Sequence, residues 1–442
     1  MTIQTLETDY LLIGAGAMGM AFMDEVLTRD KGAHFILVDK HAKPGGHWND
    51  AYPFVSLHQP AAYYGVNSEK LGSGGAALAS GTEVLSYFDR VLGKWVAAGR
   101  VQYFPMCEFH GDGRFSSLVA RDREYEVKVR RKTVDASYSQ VTVPAMGPPA
   151  FPVASEVSLV PLNRLSDVRE PQSGYVIIGA GKTGMDAALF LLDRGVDPDH
   201  ITWIMPNDAW LLDRAQIQPG RMADGGRTAQ MESIAEASNL EELFLSLEAK
   251  QLILRLDKSV WPTKYRCATV SLEELDQLRS IRNVVRKGRV VRIEPTSIVL
   301  QNGSFATDSS KLHVDCTADG LKRRDILPVF NGEQITLQSL FMCQQVLSAA
   351  IIGQIETRYD DDAKKNELAK VVPHPEFTLD FLGALAISMS NVDAWAKHFG
   401  MWLRGSRLCF IHHESLFALI WMGIQSRKIV PRAMERIEVL LK

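Results

Sequence analysis

The sequence predicts an α/β protein in which two βαβ units are followed by a C-terminal helical region. A glycine-rich turn with the spacing G-x-G-x-x-G follows a short apolar run near residue 14. A second turn with the same spacing follows another apolar run near residue 179. Residues 373–442 have helical character and are rich in Trp, Met, His and Phe, which predicts the helical end.

The first unit begins with a buried-strand pattern at residues 9–13 and continues with helical spacing from residue 20. Between them, Gly14 permits the tight turn, Gly16 lets a pyrophosphate approach the backbone, and Gly19 lets helix and strand pack closely. The helix N-terminus supplies unpaired N–H groups and partial positive charge for phosphate. The pattern predicts a Rossmann-like dinucleotide-binding domain.

Asp39 ends the second strand of this unit, which covers residues 34–38. An acid at this distance from the glycine-rich turn accepts hydrogen bonds from ribose hydroxyls. Strand, turn, helix, second strand and acid thus occur in the expected order, and this order makes the motif more specific than its glycines alone.

The second unit repeats the pattern, with strands at residues 175–178 and 201–205 and a helix from residue 185. Its turn contains the candidate cofactor-binding residues Gly179, Gly181, Lys182, Thr183 and Gly184. No acid follows its second strand, where Pro206 and Asn207 stand, and this absence favours NADPH over NADH while leaving NADH open. Arg214 is a candidate partner for a 2′-phosphate, or else an ordinary surface arginine.

Two such turns about 165 residues apart imply two dinucleotides, which we expect to be FAD in the first unit and NAD(P)H in the second. We expect a discontinuous FAD-binding domain (1–165 and 300–372) with an inserted NAD(P)H-binding domain (166–299). An Asn302-Gly303 turn signal is followed by an apolar strand that ends before Thr317, and we expect this strand to return the chain to the first domain. The 373–442 segment could line a substrate pocket, complete the core or form a homodimer contact.

The composition is that of a soluble globular protein, with 46% hydrophobic and 23% charged residues. The net charge of −3 and the pI near 6.4 give no reason to expect nucleic acid, and no apolar run is long enough to span a membrane. We expect no signal peptide and a cytoplasmic location. Five scattered cysteines without a CxxC pair argue against a disulfide framework, a zinc or other metal site, and the dithiol of disulfide reductases.

The loop at residues 44–60, here called the 44–60 loop, carries a family resemblance. Its Gly45-Gly46-His47-Trp48 is similar to the Gly-Gly-x-Trp of the class B flavin monooxygenases, which comprise flavin-containing and Baeyer–Villiger monooxygenases. Tyr52-Pro53 followed by His58-Gln59-Pro60 resembles the Asp-x-Pro or Asn-x-Pro segment of those families. With "GAGKTGMD" in the second unit, the resemblance covers roughly residues 8–358.

The resemblance implies an oxidoreductase that consumes NAD(P)H and O₂. NAD(P)H reduces FAD, O₂ adds to the flavin, and the resulting (hydro)peroxide transfers one oxygen atom to a small organic substrate. Gly45 and Gly46 would let the backbone approach the flavin, and Trp48 and Tyr52 would wall it.

His58 stands where the family has Asp or Asn, so the resemblance makes it the candidate catalytic residue. A neutral histidine both donates and accepts a hydrogen bond, although a purely structural role in a packed loop is the alternative. The Phe-x-Gly fingerprint of Baeyer–Villiger enzymes is not evident, and residues 135–137 replace the usual Ala-Thr-Gly. These departures suggest a divergent branch that oxygenates nitrogen, sulfur or carbon.

Two other functions use the same nucleotide sites. A flavin dehydrogenase or reductase would pass electrons to an acceptor without inserting oxygen, and only the Gly-Gly-His-Trp segment argues against it. A non-catalytic flavin- or nucleotide-binding redox sensor is the third possibility, against which the two intact glycine-rich turns argue.

Overall fold

The computed structural model describes residues 2–74, 76–218, 221–318, 320, 323–412 and 415–442. Its strands are β1 (Thr2–Ile13), β2 (Phe35–Val38), β3 (Val101–Phe104), β4 (Cys107–Gly111), β5 (Arg114–Ser117), β6 (Arg123–Asp135), β7 (Leu159–Pro161), β8 (Tyr175–Ile178), β9 (Ile201–Ile204), β10 (Ala209–Asp213), β11 (Ile253–Leu254), β12 (Lys264–Val270), β13 (Asn283–Val285), β14 (Val290–Glu294), β15 (Ser297–Leu300), β16 (Gly303–Ala306), β17 (Leu312–Asp315), β18 (Phe330–Asn331) and β19 (Gln334–Thr336).

Helices lie between some of these strands and form most of the C-terminal part of the chain. They are α1 (Ala17–Arg29), α2 (Gly81–Ala97), α3 (Lys182–Asp193), α4 (Arg221–Glu236), α5 (Leu240–Ala249), α6 (Leu272–Ser280), α7 (Gln345–Glu356), α8 (Asp362–Leu368), α9 (Thr378–Gly405) and α10 (Leu416–Leu440). None of the helices in the described ranges is long and apolar enough to cross a membrane.

The first sheet has β1 at its centre, parallel to β2 on one side and to β6 on the other. β3 extends the sheet beyond β2, and on the opposite side β19 pairs with β6 and β18 forms the edge. Near its C-terminal end, β1 is apolar and buried over residues 10–12, as expected for a strand covered on both faces. Helices α1 and α7 pack closely, since a Cβ on Gly353 would lie 3.1 Å from the carbonyl oxygen of Phe22.

The second sheet is fully parallel, with the strand order β13-β9-β8-β17-β7. Together the two sheets and the helical end confirm the predicted α/β class with two Rossmann-like units and a C-terminal helical region. The hairpin of β15 and β16 forms at the predicted Asn302-Gly303 turn.

One expectation about the chain path is wrong. We expected the apolar strand before Thr317 to return the chain to the first sheet, but β17 lies in the second sheet between β8 and β7. All four of its residues are buried, so it needs a neighbour on each side. The return to the first sheet is made further on, by β18 and β19. The domain boundaries themselves stay predictions.

A third, smaller core joins the second unit to the C-terminal helices. The sheet of β11, β10 and β12 packs against α4, α5, α9 and α10, with Tyr265 of β12 stacked on Phe381 of α9 at 4.5 Å. After α9, the buried guanidinium of Arg407 donates hydrogen bonds to the carbonyl oxygens of Val66, Tyr64 and Ala62. The C-terminal segment is therefore attached to both units.

The cysteines correct a second expectation. Cys267 of β12 and Cys343, just before α7, form a disulfide, whereas the sequence spacing argued against a cystine. The two partners lie 76 residues apart in different elements, so only the fold brings them together. The other three cysteines, Cys107, Cys316 and Cys409, are buried free thiols.

Candidate functional site

Both glycine-rich turns face one cavity of about 2330 Å³. The first turn contributes Gly14 and Gly16 to its wall, and the second contributes Gly179 and Gly181. The 44–60 loop and apolar side chains of α9 complete much of the enclosure. Because both turns stand at the carboxyl ends of parallel strands, the cavity lies where α/β sheets usually bind nucleotides.

The first turn has the backbone geometry that its glycines permit. Gly14 has φ +100° and its N–H donates to the carbonyl oxygen of Val38 at 2.8 Å. A Cβ on Gly19 would overlap the carbonyl oxygen of Gly14, so only glycine lets α1 pack at this point. Helix α1 has no side-chain cap at its N-terminus, which leaves first-turn N–H groups for an anion.

Asp39 is buried at the end of β2 and directed at this turn. Its Oδ2 accepts from the Ala15 N–H at 2.5 Å, and its Oδ1 accepts from the backbone N–H of His41 at 2.7 Å. The His41 ring bridges the Asp39 and Asp50 carboxylates, with N···O distances of 2.9 and 2.8 Å. These hydrogen bonds raise the pKa of His41, the bond to Asp39 having the largest effect. The carboxylate of Asp39 keeps acceptor capacity for a ribose hydroxyl.

The 44–60 loop closes over the first turn by direct backbone contact. The Gly45 N–H donates to the carbonyl oxygen of Ala15 at 2.8 Å, and Gly45 and Gly46 have φ of +129° and +56°. A Cβ on Gly46 would lie 3.0 Å from the Cα of Gly16. The two glycines therefore meet the turn with backbone alone, which explains why the loop needs both of them.

Trp48 is buried behind this contact and lines the cavity. Its indole N–H donates to the hydroxyl of Tyr64 at 2.7 Å. The ring of His47 stacks beside it at 5.6 Å, and burial lowers the pKa of His47 to about 4. Trp48 thus forms a rigid part of the cavity wall, and its indole N–H already has a hydrogen-bond partner.

The second turn has a backbone geometry like that of the first but is more open. Gly179 has φ +127° and accepts from the indole N–H of Trp203 at 2.8 Å. A Cβ on Gly184 would overlap the carbonyl oxygen of Gly179, whereas a Cβ on Gly181 would meet no atom within 4 Å. Helix α3 also lacks a side-chain cap at its N-terminus, and Thr183 lines the cavity.

Tyr52 and Lys182 meet on one carboxylate, Asp186 of α3. The Tyr52 hydroxyl and the Lys182 ammonium each donate to a different oxygen of Asp186. Burial, with the nearby Asp186 charge, raises the pKa of Tyr52 well above its usual value. Tyr52 lines the cavity and ties the 44–60 loop to the second unit, a contact that sequence reasoning missed.

Arg214 has partners within the protein. Its guanidinium donates to Glu274 at 2.6 Å and to the carbonyl oxygen of His58 at 3.2 Å. The residue connects the second unit to the 44–60 loop, and its predicted role in binding a 2′-phosphate stays a prediction. Arg289, by contrast, is an exposed cation on the cavity wall, and the polar side chain of Asn207 lines the same cavity.

His58 lines the cavity, and its Nδ1 is a buried nitrogen without a hydrogen-bond partner. Burial lowers the pKa of His58 to about 4, assisted by the positive charges of Lys182 and Arg214, so the ring is neutral at neutral pH. Next to it, the Gln59 amide oxygen accepts from the amide of Gln344 at 3.2 Å. Gln344 directly precedes α7, lines the same cavity and has a buried Oε1 without a partner.

The residues around the two turns fit two dinucleotides. The first turn offers uncapped N–H groups for phosphates and, beside it, a buried acid for ribose. Elsewhere on the cavity wall, two unpartnered polar atoms, His58 Nδ1 and Gln344 Oε1, could bind a polar ring. The second turn offers uncapped N–H groups and open space above Gly181. His41 and Gln344 were missed from the sequence, because neither belongs to a motif with a recognisable spacing.

Known proteins agree with this architecture. The chain is 48% identical over 422 residues to the uncharacterized protein Rv2000 of Mycobacterium tuberculosis and to the uncharacterized protein Mb2023 of Mycobacterium bovis. The match covers 92% of this chain and 78% of each relative. No protein-family model matches the sequence.

Among solved structures, the fold is similar to oxidized steroid monooxygenase bound to NADP, with a TM-score of 0.53, 13% identity and 98% coverage of both chains. It is also similar to cyclohexanone monooxygenase from Rhodococcus sp. Phi1 bound to NADP⁺, with a TM-score of 0.52, 12% identity and 98% coverage of both chains. The chain therefore belongs to the same family as the two mycobacterial proteins, and it has, at low sequence identity, the fold of the class B flavin monooxygenases.

Proposed function

We propose that this protein is an FAD-dependent, NAD(P)H-consuming monooxygenase that inserts one oxygen atom from O₂ into a small organic substrate. One observation carries the proposal: both glycine-rich turns, the glycine-rich loop over the first of them and the unpartnered ring nitrogen of His58 face a single cavity. Such convergence of polar groups in a largely apolar cavity is typical of an active site.

The first turn would hold FAD, with its pyrophosphate on the N–H groups of α1 and its ribose on Asp39. The bound flavin supplies the redox chemistry, the exchange of an electron pair with the nicotinamide and with O₂. Gly45 and Gly46 allow close backbone approach, and Trp48 excludes water from one side. The 44–60 loop thus both binds and shields the cofactor.

The second turn would hold NAD(P)H, which must enter and leave in each cycle. Because residues 205–207 after β9 include no acid, and Asp208 is paired with Arg286, the ribose end of this site does not repel a 2′-phosphate. Arg289, rather than the ion-paired Arg214, is the cation that we assign to that phosphate, because it is exposed on the cavity wall at the same end of the sheet as Asn207. This arrangement supports NADPH as the preferred donor.

We assign His58 as the catalytic residue that hydrogen-bonds the reacting oxygen. The low pKa keeps its ring neutral, so the ring can hold a proton on one nitrogen and accept a hydrogen bond at the other. The positive charges of Lys182 and Arg214 favour the neutral ring. Developing negative charge on an oxygen atom beside the ring would therefore meet a hydrogen-bond donor.

Rapid mixing tests the proposal. Purified protein is expected to carry FAD, and NADPH is expected to bleach the flavin anaerobically. On mixing with O₂, a spectrally distinct phase should precede the return of oxidised flavin. Return in one step, with hydrogen peroxide as the sole product under all conditions, would favour a dehydrogenase or oxidase. If the protein has no affinity for flavin, both the monooxygenase and the dehydrogenase or oxidase are excluded.

The variant His58→Ala tests the assigned residue within this experiment. We expect it to retain FAD but to shorten the lifetime of the distinct phase and to release more peroxide. His110→Ala, at an exposed histidine of β4 that does not line the cavity, is the matched control and should behave like the wild type. If His58→Ala has the lifetime of the wild type, His58 does not contact the reacting oxygen.

A further inference from the structure

The cystine Cys267–Cys343 lies on the wall of the cavity that we assign to the two dinucleotides. We propose that this cystine is a redox centre of the site, which NAD(P)H reduces to a dithiol and which then reduces a small disulfide that enters the cavity. The proposal rests on the proposed function in one respect, since its electrons arrive through the same dinucleotide sites.

Contacts connect the cystine to the candidate reactive centre. Cys343 precedes Gln344, whose side-chain amide donates to Gln59, and Gln59 follows the candidate catalytic His58. Cys343 also stands just before α7, the helix that packs on α1 behind the first glycine-rich turn. The disulfide therefore lines the same cavity as His58 and is connected to it through Gln344 and Gln59.

The backbone at both ends of the cystine is unusual. Cys267 has φ +55°, and Met342, next to Cys343, has φ +38°. The pairing of β12 with β10 also shifts register around Cys267, between the Trp210–Tyr265 and Leu212–Thr269 pairs. Such irregularities redirect side chains and concentrate at functional sites, because left-handed backbone at a residue other than glycine costs energy. Here they carry Cys267 to the cavity wall.

The other cysteines differ from this pair. Cys107, Cys316 and Cys409 are single buried thiols, each without a second sulfur to close a disulfide. Burial raises the pKa of all three thiols, that of Cys409 to about 11, so little thiolate forms at neutral pH. The cystine is thus the pair whose sulfurs can cycle between two oxidation states.

The reaction balances without a further co-reactant. Reduction breaks the S–S bond and forms two S–H bonds, using the hydride of NAD(P)H, which supplies the electron pair, and one proton from solvent. NAD(P)⁺ is the oxidised product. In the second half, a Cys thiolate attacks a sulfur of the small disulfide, the second thiol closes the Cys267–Cys343 bond, and two thiols of the substrate leave.

Thiol mapping by mass spectrometry tests the first half. The flavin-loaded protein is incubated anaerobically with NADPH or NADP⁺, quenched in acid, unfolded and alkylated. With NADPH we expect alkylated Cys267 and Cys343, and with NADP⁺ an intact Cys267–Cys343 peptide. The three free cysteines should be alkylated in both samples, which provides the internal control. Anaerobic reduction of the wild type should take about two equivalents of NADPH, and that of Cys343→Ser about one.

Oxidised glutathione is the probe for the second half. The wild type should reduce it with NADPH, and Cys343→Ser and Cys267→Ser should lose that activity at least tenfold while NADPH still bleaches their flavin. If NADPH bleaches the flavin and the cystine stays intact, this inference fails and the proposed function is untouched. If NADPH does not bleach the flavin, both this inference and the proposed function fail. A reduced cystine that leaves glutathione unchanged overturns the assigned substrate.

Discussion

The two glycine-rich turns have the same frame and different surroundings. Around the first, the 44–60 loop lies on the backbone, with Gly46 directly over Gly16, and Asp39 is buried beside Ala15. Around the second, Gly181 faces open space and no acid stands at residues 205–207, directly after β9. The shared turn geometry comes from glycines that allow helix and strand to pack. The residues around each turn determine whether a bound dinucleotide is retained or released.

This difference supports the division of roles that we propose. A dinucleotide at the first turn would be covered by loop backbone and by Trp48, so its release would require the loop to move. A dinucleotide at the second turn would enter and leave through open space. A flavoprotein that NAD(P)H reduces needs this arrangement, in which one dinucleotide is retained and the other is exchanged in each cycle.

The largest expected effect comes from the glycine that packs each helix on its strand. In Gly19→Ala and Gly184→Ala the new Cβ overlaps a carbonyl oxygen of the same turn, and we expect each variant to lose about 3 kcal/mol of unfolding free energy. Gly19→Ala should also lose bound flavin, whereas Gly184→Ala should keep flavin and lose its reduction by NADPH. Urea denaturation and flavin absorbance measure the two effects.

Gly383→Ala, in α9, is the matched control because its Cβ would meet no atom within 4 Å. It should be neutral or slightly stabilising, since alanine has the better helix propensity by about 1 kcal/mol. Equal loss of flavin from Gly19→Ala and Gly184→Ala would mean that the two turns do not divide the cofactors as proposed.

The next effect concerns Tyr52, which joins the two regions. Tyr52→Phe removes a hydrogen bond to the Asp186 carboxylate, and we expect a loss of about 2 kcal/mol of unfolding free energy. Because Asp186 also holds Lys182 at the second turn, NADPH should bind more weakly while flavin stays bound. Titration of the flavin-loaded variant with NADP⁺ checks this. A variant with weakened flavin and unchanged NADP⁺ would assign Tyr52 to the first turn.

A smaller effect distinguishes the two cofactors at the second turn. Arg289→Ala should raise the dissociation constant for NADPH about tenfold, the equivalent of about 1.4 kcal/mol, with little change for NADH. Arg292→Ala is the control, because this exposed arginine on β14 pairs with Glu294 outside the cavity wall. Calorimetric titration with each nucleotide is the measurement. Equal weakening of NADPH and NADH by Arg289→Ala would remove the 2′-phosphate assignment.

The sequence predicted those parts of the fold that depend on local patterns. Both turns, their helices and their strands follow from glycine spacing and from short apolar runs, because the turn geometry restricts which residues fit. The hairpin at Asn302-Gly303 was predictable for the same reason. The strand β17 was assigned to the wrong sheet, since an apolar run carries no information about which of two parallel sheets it joins.

Contacts between segments far apart in the chain could not be predicted from the sequence. Asp186 was an ordinary helical residue until the fold brought Tyr52 and Lys182 to it, and Gln344 had no motif at all. The cystine of Cys267 and Cys343 was excluded on spacing, although its partners come from elements that only the fold makes adjacent. Sites assembled from several segments depend on tertiary geometry, which single-sequence patterns do not encode.

The smallest expected effect is on the pH dependence of stability and comes from His58. Its pKa is about 4 in the folded protein and near 6.5 in the unfolded chain, so the unfolded state binds more protons between these values. Stability therefore falls on acidification, and His58 should contribute about 1 kcal/mol of that loss between about pH 7 and pH 5.5. Urea denaturation across this range should show a shallower decline for His58→Asn than for the wild type or His110→Asn. Parallel declines in all three proteins would mean that the ring of His58, on the loop that shields the first turn, is not held neutral by burial beside Lys182 and Arg214 of the second unit.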